Sequence, residues 1–227
     1  MLGLGSSLAI GGAPSEWAVS DISGISKWFK YQTNVTLDGA NISTWGDNFG
    51  SETLTITESS GVIPYNGGDL NFDANVSRMT LDATWVPTAF SVYVVFQVTA
   101  AAVYNEDMMD NGNHDFFRIK EPSVIRVKIG DSGSNDITIT NAFSVDTWYV
   151  LGIEWNGSTL EIFQDSKYDT ASGTGSDTDT FAGLRGLGAR GSNPFDGQIR
   201  ELVLVNNALS SSDRNNLMEY LITVKNL

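Results

Sequence analysis

The C-terminal segment constrains the fold more than any other part of this chain. Residues 195–206 begin with Phe-Asp-Gly and continue as an apolar run that is typical of a buried strand. A polar turn follows, and Ser210 with Asp213 three residues later has the spacing of a helix capping box. Leu217 and Leu221 lie four residues apart, which places them on one face of the predicted helix. The chain is therefore predicted to end in a strand followed by a short helix.

The rest of the sequence has the pattern of short strands joined by turns. Ile125, Val127 and Ile129 alternate with charged residues, which indicates a strand with one buried and one solvated face. Regular strands with a single convincing helix predict an all-β, two-sheet antiparallel sandwich rather than alternating β/α units. Besides strands in the opening residues 22–47, the predicted strands cover residues 53–57, 70–73, 77–81, 90–99, 115–120, 123–129, 136–140, 148–155, 159–164 and 198–206.

Three parts of the sequence carry more specific motifs. They are the C-terminal strand, turn and helix, the Asn156-Gly157 hairpin turn that follows Trp155, and the opening segment with Trp28 and Trp45. Together they resemble the concanavalin A-like (laminin G-like) jelly-roll domains, over about residues 21 to 222. The resemblance implies a jelly-roll sandwich with a short C-terminal helix. Because this architecture carries lectins, glycosidases, lyases and structural modules, the resemblance leaves the function open.

Length and composition fit one domain preceded by an arm. A chain of 227 residues is long enough for a single β-sandwich, and without cysteine it must be stabilised by apolar burial. Residues 1–20 are rich in Gly, Ser and Ala and sustain neither a helix nor a strand period. We therefore expect residues 1–20 to form an extended, flexible attachment arm and residues 21–227 to form the sandwich.

The charge balance excludes several classes of partner. A net charge of −14 at pH 7 opposes binding to phosphate backbones and to anionic membranes. The N-terminal residues have no basic segment before their apolar residues, and no stretch approaches a membrane span. We expect no nucleic-acid partner, no membrane partner and no secretion signal.

Carboxylates are the candidates for glycoside hydrolysis, which needs two of them at a fixed separation. The jelly-roll glucanases carry an E-x-D-x-E run on one strand, and this sequence has no such run. Glu154 has no acidic partner two or four residues later and is interpreted as an outward-facing strand residue. His114 is the single histidine and is interpreted as a surface residue. We expect no catalytic residue and no enzymatic activity.

A second acidic feature is a possible cation site. Calcium prefers several oxygen ligands from one compact loop. The weak calcium candidates lie in a segment interpreted as a Gly/Asn-rich loop, and they are Glu106, Asp107, Asp110 and Asp115. Asp177 and Asp179 form a second acidic loop, and neither segment has EF-hand spacing. The favoured interpretation is solvated acidic loops and no cofactor, with calcium as the alternative.

Glycan binding without catalysis would use an exposed aromatic side chain. Trp85 precedes Val86-Pro87 at a predicted strand entrance and is the weak glycan candidate. A core or rim position is the favoured interpretation of this residue, and a stacking platform is the alternative.

The arm resembles the start of virion structural proteins of tailed bacteriophages, in which a Gly-rich arm precedes a concanavalin A-like domain. The resemblance implies a non-enzymatic virion structural protein of the capsid-decoration or head-fibre type, assembled in the bacterial host cytoplasm. Its partners would be other capsid or tail proteins and host surface glycans, and it could form a homo-oligomer. The alternative is a carbohydrate-binding module or a tail-associated adhesin for host glycans. The candidate anchors in the arm are Leu2, Leu4, Leu8 and Ile10.

Overall fold

The computed structural model describes residues 17–57, 62–73, 78–99, 106–111, 115–130, 133–165, 171–188 and 194–227. In this part of the chain there are seventeen strands and one α-helix, α1 (Ser211–Lys225), together with a short 3-10 helix at Val19–Asp21. The strands are β1 (Ile25–Phe29), β2 (Val35–Asp38), β3 (Asn41–Gly46), β4 (Thr53–Ile56), β5 (Ile63–Asn66), β6 (Asp69–Asp73), β7 (Arg78–Trp85), β8 (Phe90–Val98), β9 (Glu106–Asp110), β10 (Asp115–Glu121), β11 (Val124–Val127), β12 (Asn135–Thr138), β13 (Trp148–Trp155), β14 (Thr159–Gln164), β15 (Gly173–Ser176), β16 (Leu184–Gly188) and β17 (Asp196–Val205).

The strands form two antiparallel sheets. In sheet A, β17 pairs with β8 along one side and with β1 and β6 along the other, and β13, β14 and β15 follow β8. Sheet B has the order β2, β3, β4, β7, β16, β9, β10, β11, β12. Strand β5 pairs with both β3 and β6 and so links the sheets. The predicted all-β, two-sheet antiparallel sandwich is confirmed.

The main core lies between the inner faces of the two sheets. Val92, Val94 and Phe96 are alternate residues of β8 that point into it and are fully buried. At the start of β8 an aromatic cluster extends the core, where the ring centroids of Phe90 and Phe181 are 4.6 Å apart. Burying each of these side chains stabilises the fold by about 1.5–3 kcal/mol relative to exposure.

A second apolar layer covers the outer face of sheet A. Tyr93 and Val95 alternate with the core residues of β8 and therefore point to the opposite face. Leu217 and Leu221 of α1 are fully buried in the same cluster, as their spacing predicts. The helix is therefore held by the sheet that it covers.

The predicted start of the helix is confirmed. Ser210 has extended backbone angles, and its Oγ accepts a hydrogen bond of 3.1 Å from the Asp213 N–H. At the other end, Nη1 of Arg200 on β17 donates to the carbonyls of Val224 and Lys225. Both ends of α1 thus have backbone groups that are satisfied by side chains.

Residues 17–22 pack against this helix layer. Val19 and Ile22 are buried in its cluster, and Trp17 is packed against it. Part of the segment assigned to the arm, residues 17–20, is therefore in contact with the sandwich. The candidate arm anchors Leu2, Leu4, Leu8 and Ile10 lie outside the described residues.

The strand predictions differ in success. The predictions for residues 148–155 and 159–164 coincide with β13 and β14. Strands β5, β9, β15 and β16 were not predicted, because their sequences have weak strand propensity or frequent glycine. In β15 the glycines have a packing role, since a Cβ on Gly173 would collide with Ile137 and Thr138 of β12.

Candidate binding face

The outer face of sheet B carries charged side chains on β10 and β11. Ile119 and Ile125 are buried in the core, whereas Arg118, Lys120 and Arg126 lie on the other face of the same strands and are partly exposed. The alternation follows from the two-residue period of a strand. Sheet B therefore presents cations on its outer face, whereas the outer face of sheet A is covered by α1.

Strand register places four charged residues of sheet B, two arginines and two aspartates, in one row across the sheet. Arg118 lies opposite Arg126 on β11 and opposite Asp107 on β9, while Arg126 lies opposite Asp136 on β12. Lys120, two residues beyond Arg118, also reaches Asp136. We call this set the charged ladder, and its members are Asp107, Arg118, Arg126, Asp136 and Lys120.

Both arginines of the charged ladder make two-point contacts with a carboxylate. Arg118 donates from Nε and Nη2 to Asp107 at 2.6 and 3.1 Å. Arg126 donates in the same way to Asp136 at 2.8 and 3.2 Å, and Lys120 Nζ donates to Asp136 at 2.5 Å. The hydrogen bonds from Arg126 and Lys120 lower the pKa of Asp136 to about 2. Asp136 is therefore ionised at any physiological pH.

A further ion pair crosses the same face next to the charged ladder. Arg78 Nη2 on β7 donates to Asp110 on β9, although β16 lies between these two strands. The pair passes over Gly186 of β16, where a Cβ would collide with Arg78 and Asp110. The glycine therefore makes room for a contact between strands that are not neighbours.

The interpretation of the acidic segment 106–110 as a loop is wrong, because these residues form β9. Asp107 and Asp110 are engaged by arginines across the sheet instead of converging on one point. Asp115 begins β10 and lies opposite Asp110 in the register. In the described part of the chain no three acidic, His or Cys side chains are grouped as a metal ion would require.

Glu106 faces the interior and is the exception among these acidic residues. Its carboxylate is fully buried and accepts a hydrogen bond of 3.2 Å from the Asp196 N–H. Burial raises the pKa of this carboxyl to about 8. Among the described residues, none forms a hydrogen bond with Oε1 of Glu106. Glu106 is therefore a buried acid without a described cation.

Glu154 faces outward from the sandwich on β13, as interpreted, but it is buried because α1 covers this face. Its carboxylate accepts hydrogen bonds from Nε and Nη2 of Arg214 at 3.0 and 2.8 Å. The Tyr93 hydroxyl donates to it at 2.5 Å and the Leu209 N–H at 3.3 Å. The usable sequence signal was Arg214, which shares the helix face of Leu217 and Leu221 and so required a buried carboxylate.

Trp85 lies in the core and not on an exposed platform. Its ring packs edge-on against Phe181, its Nε1–H donates to Asn206 Oδ1 at 2.7 Å, and only 6% of the residue is exposed. One edge lines a surface groove of about 460 Å³ that also contains Lys27 and Val86. Because Trp85 is a buried member of the core cluster, the favoured interpretation of a core or rim position agrees with the structure.

The family comparison matches most of the sandwich. The profile of the concanavalin A-like lectin/glucanases superfamily matches residues 67–213, which include the charged ladder and most of sheet A. No curated protein matches the sequence. Among the described residues, no helix has the length and apolar character needed to cross a membrane.

Solved structures share the fold at low sequence identity. The receptor binding domain of botulinum neurotoxin D is 10% identical with a TM-score of 0.62, and the match covers 90% of this chain and 54% of that one. The binding domain of botulinum neurotoxin DC in complex with SialylT is 13% identical with a TM-score of 0.60, at 90% and 52% coverage.

An enzyme also appears among the structural neighbours. A sialidase from Trypanosoma rangeli is 11% identical with a TM-score of 0.55, at 88% and 33% coverage. The chain thus spans about half of the toxin chains and a third of the sialidase chain. At these identities the likeness establishes the fold, which binding domains and enzymes share.

Proposed function

The chain belongs to the concanavalin A-like lectin/glucanases superfamily, and we propose that it is a non-enzymatic structural module of a bacteriophage particle that displays a glycan-binding sandwich. The proposal has two parts, which are tested separately. The first is that the sandwich binds glycans without cleaving them. The second is that residues 1–16 attach it to the particle.

The ion pairs of β9 are the observation that carries the first part. A glycosidase needs one carboxyl to donate a proton and another to act as base or nucleophile on the same bond. Asp107 and Asp110 are held by Arg118 and Arg78 respectively, and Glu106 lies on the opposite face of the strand. The acidic cluster of β9, which comes nearest in sequence to a catalytic carboxylate pair, is thus used for ion pairs between strands. The outward cations beside it favour recognition.

The structural neighbours support a binding role in a general way. Two of them are toxin binding domains, and one of these was solved in complex with SialylT. The sialidase shows that the same fold is also found in enzymes. The support for binding in this chain therefore comes from the charges on its own sheet B.

The placement on a phage particle is supported by the resemblance of the N-terminal sequence to virion proteins. Leucines spaced by glycine can lie along a neighbouring subunit in an extended conformation. Capsid decoration and tail attachment are both compatible with such an arm.

A glycan array followed by product analysis tests the first part. We expect the purified chain to retain a subset of glycans and to release no shorter products during prolonged incubation. Release of shorter products by the purified chain would show an enzyme and overturn the proposal. The variant Lys225→Gln, which removes a cation from an ion pair with Asp165 on the side of sheet A that α1 covers, controls for general loss of protein quality.

Attachment is tested with phage particles produced in the presence of tagged chain. We expect the full chain to co-sediment with particles and a chain lacking residues 1–16 to remain in the supernatant as a folded protein. Residues 17–22 are kept because Val19 and Ile22 are part of the packed layer. Replacing Leu2, Leu4 and Leu8 with alanine should act like the deletion, whereas replacing Ser6 and Ser7 should not. Equal sedimentation of every form would contradict the arm's role.

A further inference from the structure

Two arginines occupy directly opposed positions at the centre of the charged ladder. Arg118 and Arg126 are register partners on adjacent strands of sheet B. Like charges in directly opposed positions destabilise a sheet. Thr or Val in either position would remove the repulsion and favour strand formation. Asp107 and Asp136, which flank the pair in the row, offset this repulsion, whereas Thr or Val would need no such compensation.

The flanking carboxylates orient these arginines. Asp107 on one side and Asp136 on the other each hold the Nε and Nη2 edge of one guanidinium. Such two-point contacts fix the plane of a guanidinium, so little conformational entropy remains to be lost when a ligand binds. The cations are thus held in place before any ligand arrives.

The charge of the charged ladder differs in sign from that of the whole chain. It contains three cations and two carboxylates, whereas the chain has 13 basic and 27 acidic residues. Lys120 and Arg126 are also accessible, with 32% and 26% of their side chains exposed. An anionic group that approaches this protein is repelled by most of its surface and attracted here.

We infer that the charged ladder is a binding site for a carboxylate or sulfate group of an acidic glycan. The inference rests on the proposed glycan-binding role and adds the ligand class. Because Asp107 and Asp136 already engage the Nε and Nη2 donors of both arginines, the oxyanion would be attracted by the positive charge of the oriented guanidinium groups and by the Lys120 ammonium. A nucleic acid is a poorer ligand, because its continuous phosphate backbone would extend over the acidic remainder of the surface.

The test uses three probes that share one backbone. Dextran, carboxymethyl-dextran and dextran sulfate oligomers of equal length are titrated against the full chain by calorimetry at low and at physiological salt. We expect both charged oligomers to bind at least tenfold more tightly than dextran. Their affinity should fall as salt rises, whereas that for dextran should not.

Variants assign the binding to the charged ladder. Arg126→Gln should weaken binding of the charged oligomers at least fivefold, and the further change Lys120→Gln should remove the preference over dextran. Arg126→Lys keeps the charge but not the two-point geometry and should have an intermediate affinity. Lys27→Gln, which removes one cation from the groove beside Trp85, tests that groove as the alternative site. The matched control is Lys225→Gln, which removes one cation from the ion pair with Asp165. Circular dichroism establishes that each variant is folded.

The outcomes separate this inference from the proposed function. Unchanged binding in Arg126→Gln, or loss in Lys27→Gln alone, would overturn the charged ladder as the site and would move attention to the groove beside Trp85. Retention of only neutral glycans on the array would overturn the acidic ligand class and leave the binding role intact. Retention of no glycan at all would remove the proposed binding role and this inference with it.

Discussion

The outer faces of the two sheets use the same chemical pair in different surroundings. At sheet A, Glu154 of β13 pairs with Arg214 of α1 in the interface between helix and sheet, with 2% and 9% of their side chains exposed. On sheet B, Asp136 and Arg126 lie at the surface, with 36% and 26% exposed. In both pairs the arginine donates from Nε and Nη2. Burial therefore decides what the pair does, since the first fixes a helix and the second presents a cation.

The buried pair is one part of a larger attachment of α1. Tyr93 and the Leu209 N–H complete the hydrogen bonds of Glu154. At the far end Arg200 holds the last carbonyls of α1 and is itself held by Asp69 at 2.7 Å. Side-chain contacts therefore fix α1 to the outer face of sheet A near both ends of the helix. Among the described residues, no helix covers the charged ladder, and Lys120 and Arg126 are partly exposed.

The largest effect is expected from breaking the buried pair. Glu154→Gln leaves the Arg214 charge between helix and sheet without its carboxylate, which should cost about 3–5 kcal/mol in the free energy of unfolding. The matched change at the surface, Asp136→Asn, should cost under about 1 kcal/mol. Urea unfolding of the two variants measures both values. Similar losses in the two would contradict the role given to burial.

The second effect concerns a carboxyl that lacks a described arginine altogether. The pKa of Glu106 is raised by burial from an ordinary value of 4.5 to about 8. Because the folded state holds this proton more tightly, its contribution to stability is fully present below pH 4.5 and is lost as pH rises through 8. Between pH 5 and 7 the wild-type chain should lose about 2–3 kcal/mol relative to Glu106→Gln. If the difference in the free energy of unfolding between the two proteins stays constant from pH 5 to 7, Glu106 is not a buried, protonated acid.

Glycines offer a third comparison of the two faces. A Cβ on Gly152 of β13 would collide with the buried ring of Tyr93, whereas one on Gly186 would meet the ends of the Arg78 and Asp110 side chains. We expect Gly152→Ala to cost about 1–3 kcal/mol, because an enclosed ring cannot move away. Gly186→Ala should cost less, and Gly133→Ala, whose Cβ would meet no described atom within 4 Å, should cost little. Thermal unfolding ranks the three, and a larger loss at Gly186 than at Gly152 would contradict the view that the Tyr93 ring is the neighbour less able to move.

The sequence predicted the fold where local signals agree with tertiary packing. The hairpin of β13 and β14 carries strong strand formers and an Asn-Gly turn, and the Ser210 cap marks the helix without ambiguity. Strand β9 was missed because Glu106–Asp110 has no strand pattern of its own, and its conformation depends on arginines far away in the sequence. Neighbours in a sheet cannot be read from local propensity.

Only part of the candidate site could be predicted from the sequence. The alternation around Arg126 indicated a solvated strand face, but the opposed position of Arg118 needs the register between two strands. The burial of Glu154 was missed for a related reason. Strand alternation separates two faces but does not say which one a later helix will cover, and here α1 covers the face that carries Glu154.

The smallest stability effect is expected on the charged ladder itself, and it bears most directly on function. Arg126→Gln removes one of two directly opposed positive charges and breaks an exposed ion pair, and these changes have opposite signs. The free energy of unfolding should therefore change by less than about 0.5 kcal/mol in either direction. Urea unfolding measures this value, and the acidic-oligomer titration on the same preparation measures affinity. A variant that keeps its stability and loses its affinity would show that the arginine is retained for a ligand. A loss of more than about 2 kcal/mol would instead make Arg126 a structural residue like Arg214.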